Sequence, residues 1–518
     1  MLTVNDGQEC PSYLVFELMS VESRSNSTKT PDPQGRFEAL RSWLSAETAA
    51  SSLVIFRIGF GLTMAFWAFD YLRTDRVRLL CAPDMFHFTY AGFSWVRPWP
   101  GHGMIALFVV MMLAAIMIAA GAIYRVATVV FAIGFTHFFL IDRTNYQNHY
   151  YLIVLLSWLM TILPANRMFS VDVLNGSVTG SGIIPRWCLL LLQFHIALPY
   201  AFGGVAKIDA DWLSAEPMKN ILRIQGWVDG VPGWLNETAA ANLFTWGGLL
   251  FDLLVVPAIL WRRTRVVGFL MAIAFHLSNS VMFNIHVFPW LMISATTVFF
   301  SPDWPIKFLL LLNLGAKNNE PSSSLLESGG GISTPAVLVL LAYCSFHILW
   351  PLRHFIYEGN TGWTEQGHYF SWRMMLRGKT VGLRYYLTDA ETGVTQQADI
   401  RQFLNPEQQI KFAKDPLMIL DLAHGLATES LRRTGKQTEV RALVLASLNG
   451  RKPQLLIDPT VNLAAQPKFA FHRPWIVPLH EPLRSDPWTI PLNEWEQHVD
   501  LPKLPFLNLQ TRISANHR

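Results

Sequence analysis

Nine stretches of this chain are almost free of charge and long enough, or nearly so, to cross a lipid bilayer. They lie at about 51–70, 104–123, 126–141, 150–164, 185–203, 243–261, 266–283, 287–300 and 335–350. A hydrocarbon core of roughly 30 Å needs about 20 apolar residues in a helix. In lipid every backbone N–H and C=O must be satisfied within the spanning structure, so runs of this length are read as helices. The fourth, eighth and ninth runs are short, and one of them is expected to be re-entrant or buried in the bundle instead of crossing. Composition agrees: 51% of the 518 residues are hydrophobic and only 15% charged, against about 25% charged in soluble chains. The chain is also rich in Trp and Phe, and Trp favours the water–lipid boundary.

The predicted fold is therefore an all-α polytopic membrane bundle of eight or nine helices, followed by a soluble α+β region. Residues 1–46 are polar and include the Ser- and Thr-rich stretch Ser23 to Thr30. They lack the basic start and apolar core of a cleaved signal peptide, so the first span is expected to act as its own signal. Residues 47–350 form the membrane domain, interrupted at 318–333 by an Asn-, Ser- and Gly-rich linker. From 351 to 518 the pattern changes. VGLRYYLT and VTQQADI read as strands joined at Ala390–Gly393, and 405–434 reads as a helix opened by Asn405-Pro406-Glu407. RALVLASL and KPQLLID then read as a hairpin through Asn449-Gly450. No internal repeat is visible.

A net charge of +4 spread over this length, with no basic stripe, argues against a nucleic-acid partner. The four cysteines (Cys10, Cys81, Cys188, Cys344) are far apart, and no Cys or Cys/His spacing indicates a metal site. Orientation follows from the basic cluster Arg262, Arg263 and Arg265 between runs six and seven, which the positive-inside rule puts in the cytoplasm. With nine crossings the amino terminus is inside and the soluble region outside. Lys307 and Lys317 then fall inside, while Arg73, Arg76 and Arg78 fall outside against the rule. On this topology the loop ending at His149, the loop beginning near Lys207 and the soluble region all share the outer side.

Three polar groups sit at the mouths of apolar runs. Lys207, in GGVAKIDADW, is one. A lysine in an apolar setting has its ammonium disfavoured, leaving an amine able to act as a base near neutral pH. The plainer alternative is snorkelling to water, paired with Asp211 at i,i+4 spacing. The second group is His149, in NYQNHY, able to donate a hydrogen bond or proton; the alternative is helix capping and interface anchoring by Asn148, His149 and Tyr150. The third is in run seven, where His276 and Asn279 share a helix face, followed by Phe283-Asn284-Ile285-His286. Polar groups at this depth face a cavity or bond a neighbouring helix. Arg57 and Asp70 are expected to have structural partners.

The order of NHY, PANRMFSVD, GVAKIDADW, GLLFDL, FHLSN and SPDWP, then Gly362-Trp363-Thr364, YFSWRMM, FLNP and IDP, resembles the vitamin K-dependent gamma-glutamyl carboxylases, within the broader HTTM-domain proteins. The similarity runs from about 50 to 480, with GVAKIDADW and YFSWRMM its most specific blocks. The resemblance implies a membrane enzyme that oxidises vitamin K hydroquinone with O2 to the epoxide, generating a strong base. That base removes a glutamate γ-proton, and CO2 traps the carbanion. It implies Lys207 as the group that deprotonates the hydroquinone, His149 as the active-site histidine, and Asn148, His276, Asn279 and Phe283 around the quinol. It implies Trp372, Met374, Met375, Arg377 and Lys379 around the glutamate of a protein or peptide substrate. The sequence departs from the family in three respects. Arg377 and Lys379 stand where the family has His and Arg, and Arg373 where the animal enzymes have Asp. The animal disulfide to the soluble region has no cysteine here after 351. The chain also lacks the long C-terminal extension linked to propeptide recognition. The last two point to a bacterial inner membrane, with the endoplasmic reticulum membrane the equivalent in a eukaryote. Two other readings stay open: an enzyme on the same scaffold that acts on another acidic substrate or only oxidises quinol, and a non-catalytic quinone- or lipid-binding protein or transporter.

Overall fold

The computed structural model describes residues 33–224, 236–283, 285–312 and 331–504. The polar stretch before 33 with Cys10, Asn284, Lys317, the linker at 318–330 and the end of the soluble region after 504 lie outside the described residues. Seven helices are long and apolar enough to cross a membrane. These are α1 (Ser51–Arg73), α2 (Gly103–Ala120), α3 (Tyr124–Ile141), α5 (Arg186–Ala206), α6 (Glu237–Leu260), α7 (Arg265–Met282) and α9, whose helical part Thr334–Leu349 extends as a span to Ile356. Two shorter apolar helices, α4 (Asn148–Ile162) and α8 (Phe288–Thr296, with a 3-10 turn to Phe299), lie among them. Runs four and eight are thus the short ones. Run nine is not, because a 3-10 turn over Trp350–Ile356 prolongs it.

Successive helices alternate in direction. At one end the hydroxyls of Ser51 and Ser52 donate to the Pro302 carbonyl (2.7 and 3.2 Å), and the Asp172 carboxylate accepts the N–H groups of Ile123 and Tyr124 at the start of α3 (2.7 and 3.1 Å). A carboxylate is favoured at a helix N-terminus, where backbone N–H groups lack partners. Gly121, at φ 65°, provides the tight link from α2. Nearby, Arg57 donates to the carbonyls of Ala165, Met168 and Phe169, so its partners are structural; Asp70 is held by Arg73 (2.8 Å). A two-stranded ribbon, β1 (Glu47–Ala49) with β2 (Ile183–Pro185), closes this end.

The bundle interior is aromatic. The Trp67 ring lies 4.7–6.0 Å from those of Tyr71, Phe108, Phe135, Phe138 and Tyr150. Lipid tails are as apolar as these rings, so association depends on close packing and interhelical hydrogen bonds. Tyr150 supplies the latter, with its hydroxyl 2.5 Å from that of Tyr71 and accepting from the Trp67 indole at 3.3 Å.

The soluble region sits on the other end. Its antiparallel sheet has the order β4-β3-β5-β6, with β3 Lys379–Asp389, β4 Thr395–Gln397, β5 Thr438–Leu448 and β6 Gln454–Leu455. Strands β3 and β5 pair over their full length, Lys379↔Leu448 through Asp389↔Thr438. The expected helix over 405–434 is two helices, α10 (Pro406–Phe412) and α11 (Pro416–Thr434). Asn405 and Gln408 form a capping box on the first, and Asp415-Pro416 supplies a second cap and start that break the run. Asn449 and Gly450 are both left-handed (φ 53° and 78°), as a turn requires. However, the loop is wider than a two-residue hairpin and β6 is shorter than expected. The turn instead joins the two halves of the molecule: the Asn449 side chain accepts from the Gly378 N–H (2.8 Å) and donates to Asp211 (2.9 Å).

Further contacts fix the soluble region to the bundle. Arg451 grips Asp211 through two bonds (2.6 and 2.7 Å), Arg143 pairs with Asp421, and Gln408 donates to Asp142 (2.7 Å). The basic cluster Arg262–Arg265 and Lys307 lie at the opposite end. Arg73, Arg76 and Arg78, at the soluble end, each have an acidic partner: Asp70, Glu407 and Asp75. Such pairing offsets the charge that the positive-inside rule counts against them.

Candidate functional site

A cavity of about 670 Å3 lies where α4, α5, α6 and α7 meet the soluble region. The local sequence of α5 and α6 makes this possible. Pro199 stands inside α5 and lines the cavity; it cannot donate to the carbonyl one turn back, which loosens the helix there. Gly203 and Gly204 then let α6 approach. A Cβ on Gly204 would meet Leu253 at 2.7 Å, and one on Gly203 would meet Asp252 Oδ2 at 3.1 Å.

That approach delivers a carboxylate to Lys207. Nζ of Lys207 lies 2.6 Å from Oδ2 of Asp252 and 3.4 Å from the Gly203 carbonyl, with the Trp212 ring 5.6 Å away. Both residues are buried. The i,i+4 pair of Lys207 with Asp211 is not formed. Helix α5 ends at Ala206 and a new short helix, Ala210–Leu213, starts with Asp209 as its cap, so the spacing no longer puts the two side chains on one face. Burial alone would raise the Asp211 carboxyl, but bonds from Arg451 and Asn449 outweigh it and leave it below the usual carboxylate range.

His149 opens α4 and shares the cavity with Lys207. Its ring stacks on Phe288 (5.1 Å between centroids) and its Nε2 has no hydrogen-bond partner among the described residues. Asn148 does not cap the helix: the N-cap is Gln147, while Asn148 accepts from the Tyr146 hydroxyl (3.0 Å) and approaches the Arg373 carbonyl at 3.5 Å. His276 bonds the Tyr200 hydroxyl (2.6 Å) through Nε2, and its Nδ1 has no partner among the described residues. Asn148, His276, Asn279 and Phe283 all line the cavity. A buried polar atom without a partner is uncommon and costly, and two such ring nitrogens on one largely apolar cavity fit a ligand that carries polar oxygens on an apolar body.

The segment 365–377 forms the mouth. Four non-glycine residues in it are left-handed: Glu365, Phe370, Trp372 and Met375 (φ 56–59°). Each costs of order 1–3 kcal/mol and persists only where its surroundings hold it. Here the Tyr146 hydroxyl accepts from the Phe370 N–H (2.7 Å), and Arg353 donates to the Tyr369 carbonyl. The resulting path turns Met374 and Met375 to the cavity and sends Trp372 back into the bundle core, 4.9 Å from Tyr151.

The expected substrate-facing residues therefore separate. Met374, Met375 and Arg377 line the cavity, but Trp372 and Lys379 do not. Lys379 is fully enclosed and donates to Glu365 (2.7 Å) and to the carbonyls of Trp363 and Lys414 (both 2.8 Å), which uses all three of its donors. Arg377 reaches the cavity with its fork already on the same Glu365 (2.8 and 2.7 Å) and one nitrogen 3.0 Å from His368. Burial, reinforced by Arg377 and Arg373, holds the His368 imidazole well below the usual histidine range, so it is neutral. Arg373 also lines the cavity and forms no ion pair among the described residues; one guanidinium nitrogen lies 3.4 Å from His354 Nε2, and the Asp209 carboxylate acts on it through space. Two carboxylates, Glu365 and Asp209, thus face three cationic side chains, Arg373, Arg377 and Lys379, and these groups together carry one surplus positive charge.

Asp252, Glu365 and His368 escaped the sequence reading. Asp252 had a signal: it is the single acidic residue in run six, and intramembrane carboxylates mark functional sites by default. Glu365 had none, because its partners Arg377 and Lys379 follow twelve and fourteen residues later, beyond the reach of any local pattern.

Comparison with known families gives two matches. The family model described as the HTTM domain matches residues 46–304, and that described as vitamin K-dependent gamma-carboxylase, lumenal domain, matches residues 333–482. No solved structure matches the chain.

Proposed function

This chain belongs to the vitamin K-dependent gamma-carboxylase family, with an HTTM membrane domain and a lumenal-type soluble domain, and on that premise we propose that it couples oxidation of vitamin K hydroquinone to carboxylation of glutamate in a protein or peptide. The observation that carries this reading is the buried Lys207–Asp252 pair sharing one apolar-walled cavity with His149. The volume lies within the roughly 300–1,000 Å3 of small-molecule sites, and the unpartnered ring nitrogens of His149 and His276 would bond the quinol oxygens.

Oxidation of the bound hydroquinone by O2 supplies a base strong enough to take a glutamate γ-proton, after which CO2 is captured. The chain's own contribution is electrostatic and spatial. The Lys207–Asp252 pair has no net charge, and moving its proton to the carboxyl leaves a neutral amine beside a neutral acid. The Lys207 amine thereby becomes able to accept a hydroxyl proton without creating a net charge in a low-dielectric site. His149 Nε2 is free to orient a second oxygen. The apolar walls exclude water, which would quench a strong base. At the mouth, Arg373 and Arg377 favour a carboxylate through charge-assisted bonds. The positive-inside rule puts this mouth on the outer face, periplasmic in a bacterial inner membrane and lumenal in the endoplasmic reticulum.

The test is to incubate the purified protein with vitamin K hydroquinone, labelled bicarbonate and a Glu-containing peptide. Epoxide together with label in the peptide supports the reading; neither product refutes it. A second reading, quinol oxidation without carboxylation, is favoured by one observation: Glu365 of the chain itself occupies the Arg377 fork. It predicts epoxide with no label in any peptide.

A further inference from the structure

The loop after the soluble core carries Lys468-Phe469-Ala470-Phe471-His472-Arg473. Phe469 is 77% exposed and Phe471 63%, whereas the other exposed large apolar side chains described beyond residue 357 are aliphatic or Met and scattered singly. Paired exposed aromatics on an otherwise well-packed domain mark a contact surface.

Its position says what the contact is. The Phe471 ring stacks on Tyr357 at 5.3 Å, and Tyr357 directly follows Ile356, where the last membrane span ends. His472 Nδ1 lies 3.8 Å from Glu358 of the same exit. Phe355 and Ile356 are themselves 73% and 64% exposed, as lipid-facing residues of a span are. The two phenylalanines thus continue the apolar surface of α9 onto the soluble region. On the α2 side, Trp95 and Trp99 are exposed just before that helix begins, at the same end of the bundle. Lys468 and His472 flank the phenylalanines, exposed and each 3.8 Å from a carboxylate, Asp421 and Glu358, and a basic–aromatic loop beside a membrane helix suits an interface with anionic headgroups.

We propose that the Lys468–Arg473 loop is a lipid-dipping anchor. Phe469 and Phe471 enter the headgroup boundary of the outer leaflet beside the exit of α9, with the exposed Lys468 and His472 at headgroup level. The anchor holds the edge of the soluble region on the membrane and fixes how the cavity mouth faces the lipid. It does not depend on the reaction proposed above.

Spin labels test it in the full-length chain, with the four native cysteines replaced and the protein reconstituted in phosphatidylcholine–phosphatidylglycerol vesicles. Labels go on Phe469→Cys, Phe471→Cys and, as control, Thr392→Cys. Thr392 is exposed in the turn beyond β3, a strand of eleven residues, roughly 35 Å long, that begins at Lys379. Collision with oxygen, which concentrates in lipid, is compared with collision with a water-soluble nickel chelate. The oxygen-to-nickel ratio is expected to be several-fold higher at 469 and 471 than at 392. Equal ratios at the three sites overturn the proposal. So does a short label-to-label distance, which would put a second copy on the loop, or a spectrum that becomes immobilised only when Glu-containing peptide is added, which would put substrate there.

Discussion

Lys207 and Asp252, 45 residues apart, form a 2.6 Å ion pair inside the bundle. The lysine is expected to act only as half of that pair. Lys207→Ala leaves Asp252 to take up a proton and become neutral, which costs about 3–5 kcal/mol but keeps the protein folded while quinol epoxidation is lost; a small external amine restores part of it. Asp252→Ala leaves a buried ammonium unpaired and costs about 3–5 kcal/mol of stability. The double variant should be more stable than Asp252→Ala alone. Thermal unfolding in detergent and epoxide assays check this, and normal epoxidation in Lys207→Ala removes the lysine from the chemistry.

His149 stacks on Phe288 and leaves Nε2 unused. His149→Phe keeps a ring of similar size against Phe288, so the thermal transition should move by no more than a few degrees while epoxidation falls by two orders of magnitude or so, the usual contribution of a positioned proton donor. Unchanged epoxidation would make the histidine a packing residue.

Arg373 and Arg377 are expected to behave differently although both reach the mouth. Arg373 forms no ion pair among the described residues and feels Asp209 only through space, so Arg373→Ala should raise the peptide KM with stability and epoxidation little affected. Arg377→Ala also weakens peptide binding, but it leaves Glu365 held by Lys379 alone. Glu365→Ala strands Lys379 in the core and should destabilise by about 3–5 kcal/mol. A peptide KM unmoved by Arg373→Ala would confine substrate contact to Arg377 or remove it from this mouth.

The soluble region should loosen in acid. The folded Asp211 carboxyl lies below its unfolded value, which is about 3.9. Its contribution is therefore fully present above that value and is lost as pH falls through the folded one. Limited proteolysis between pH 7 and pH 3 should show new cleavage in the soluble region only below about pH 4, and Arg451→Ala should show it already at pH 7. Cleavage of wild type that begins well above pH 4 would place the acid-sensitive contact elsewhere.

Much of this architecture is local and was legible in residue order. A run such as 104–123 has one fate in lipid, because nothing but a helix satisfies its backbone there. Asn405-Pro406 fixes a helix start and Asn449-Gly450 a left-handed turn, since both depend on the backbone preferences of those residues alone. Lys207 and His149 each had a plain alternative, snorkelling or helix capping, and stood out because they fall in blocks that resemble the family's. Their partners could not be read in this way. Asp211 was the nearer acid in sequence, yet a helix break at Lys207 turned it to Arg451, and a glycine pair brought Asp252 in from another helix. Trp372 and Lys379 lie in and just beyond a block that resembles a substrate-holding segment, but four left-handed residues in 365–375 redirect one into the bundle core, and Glu365 captures the other. Sequence determined which segments enter the membrane and which side chains were worth suspecting. Only the tertiary structure decided which charge meets which, because ion pairing depends on distances of a few ångströms between elements, and close approach is set by packing across the fold, not by spacing along the chain.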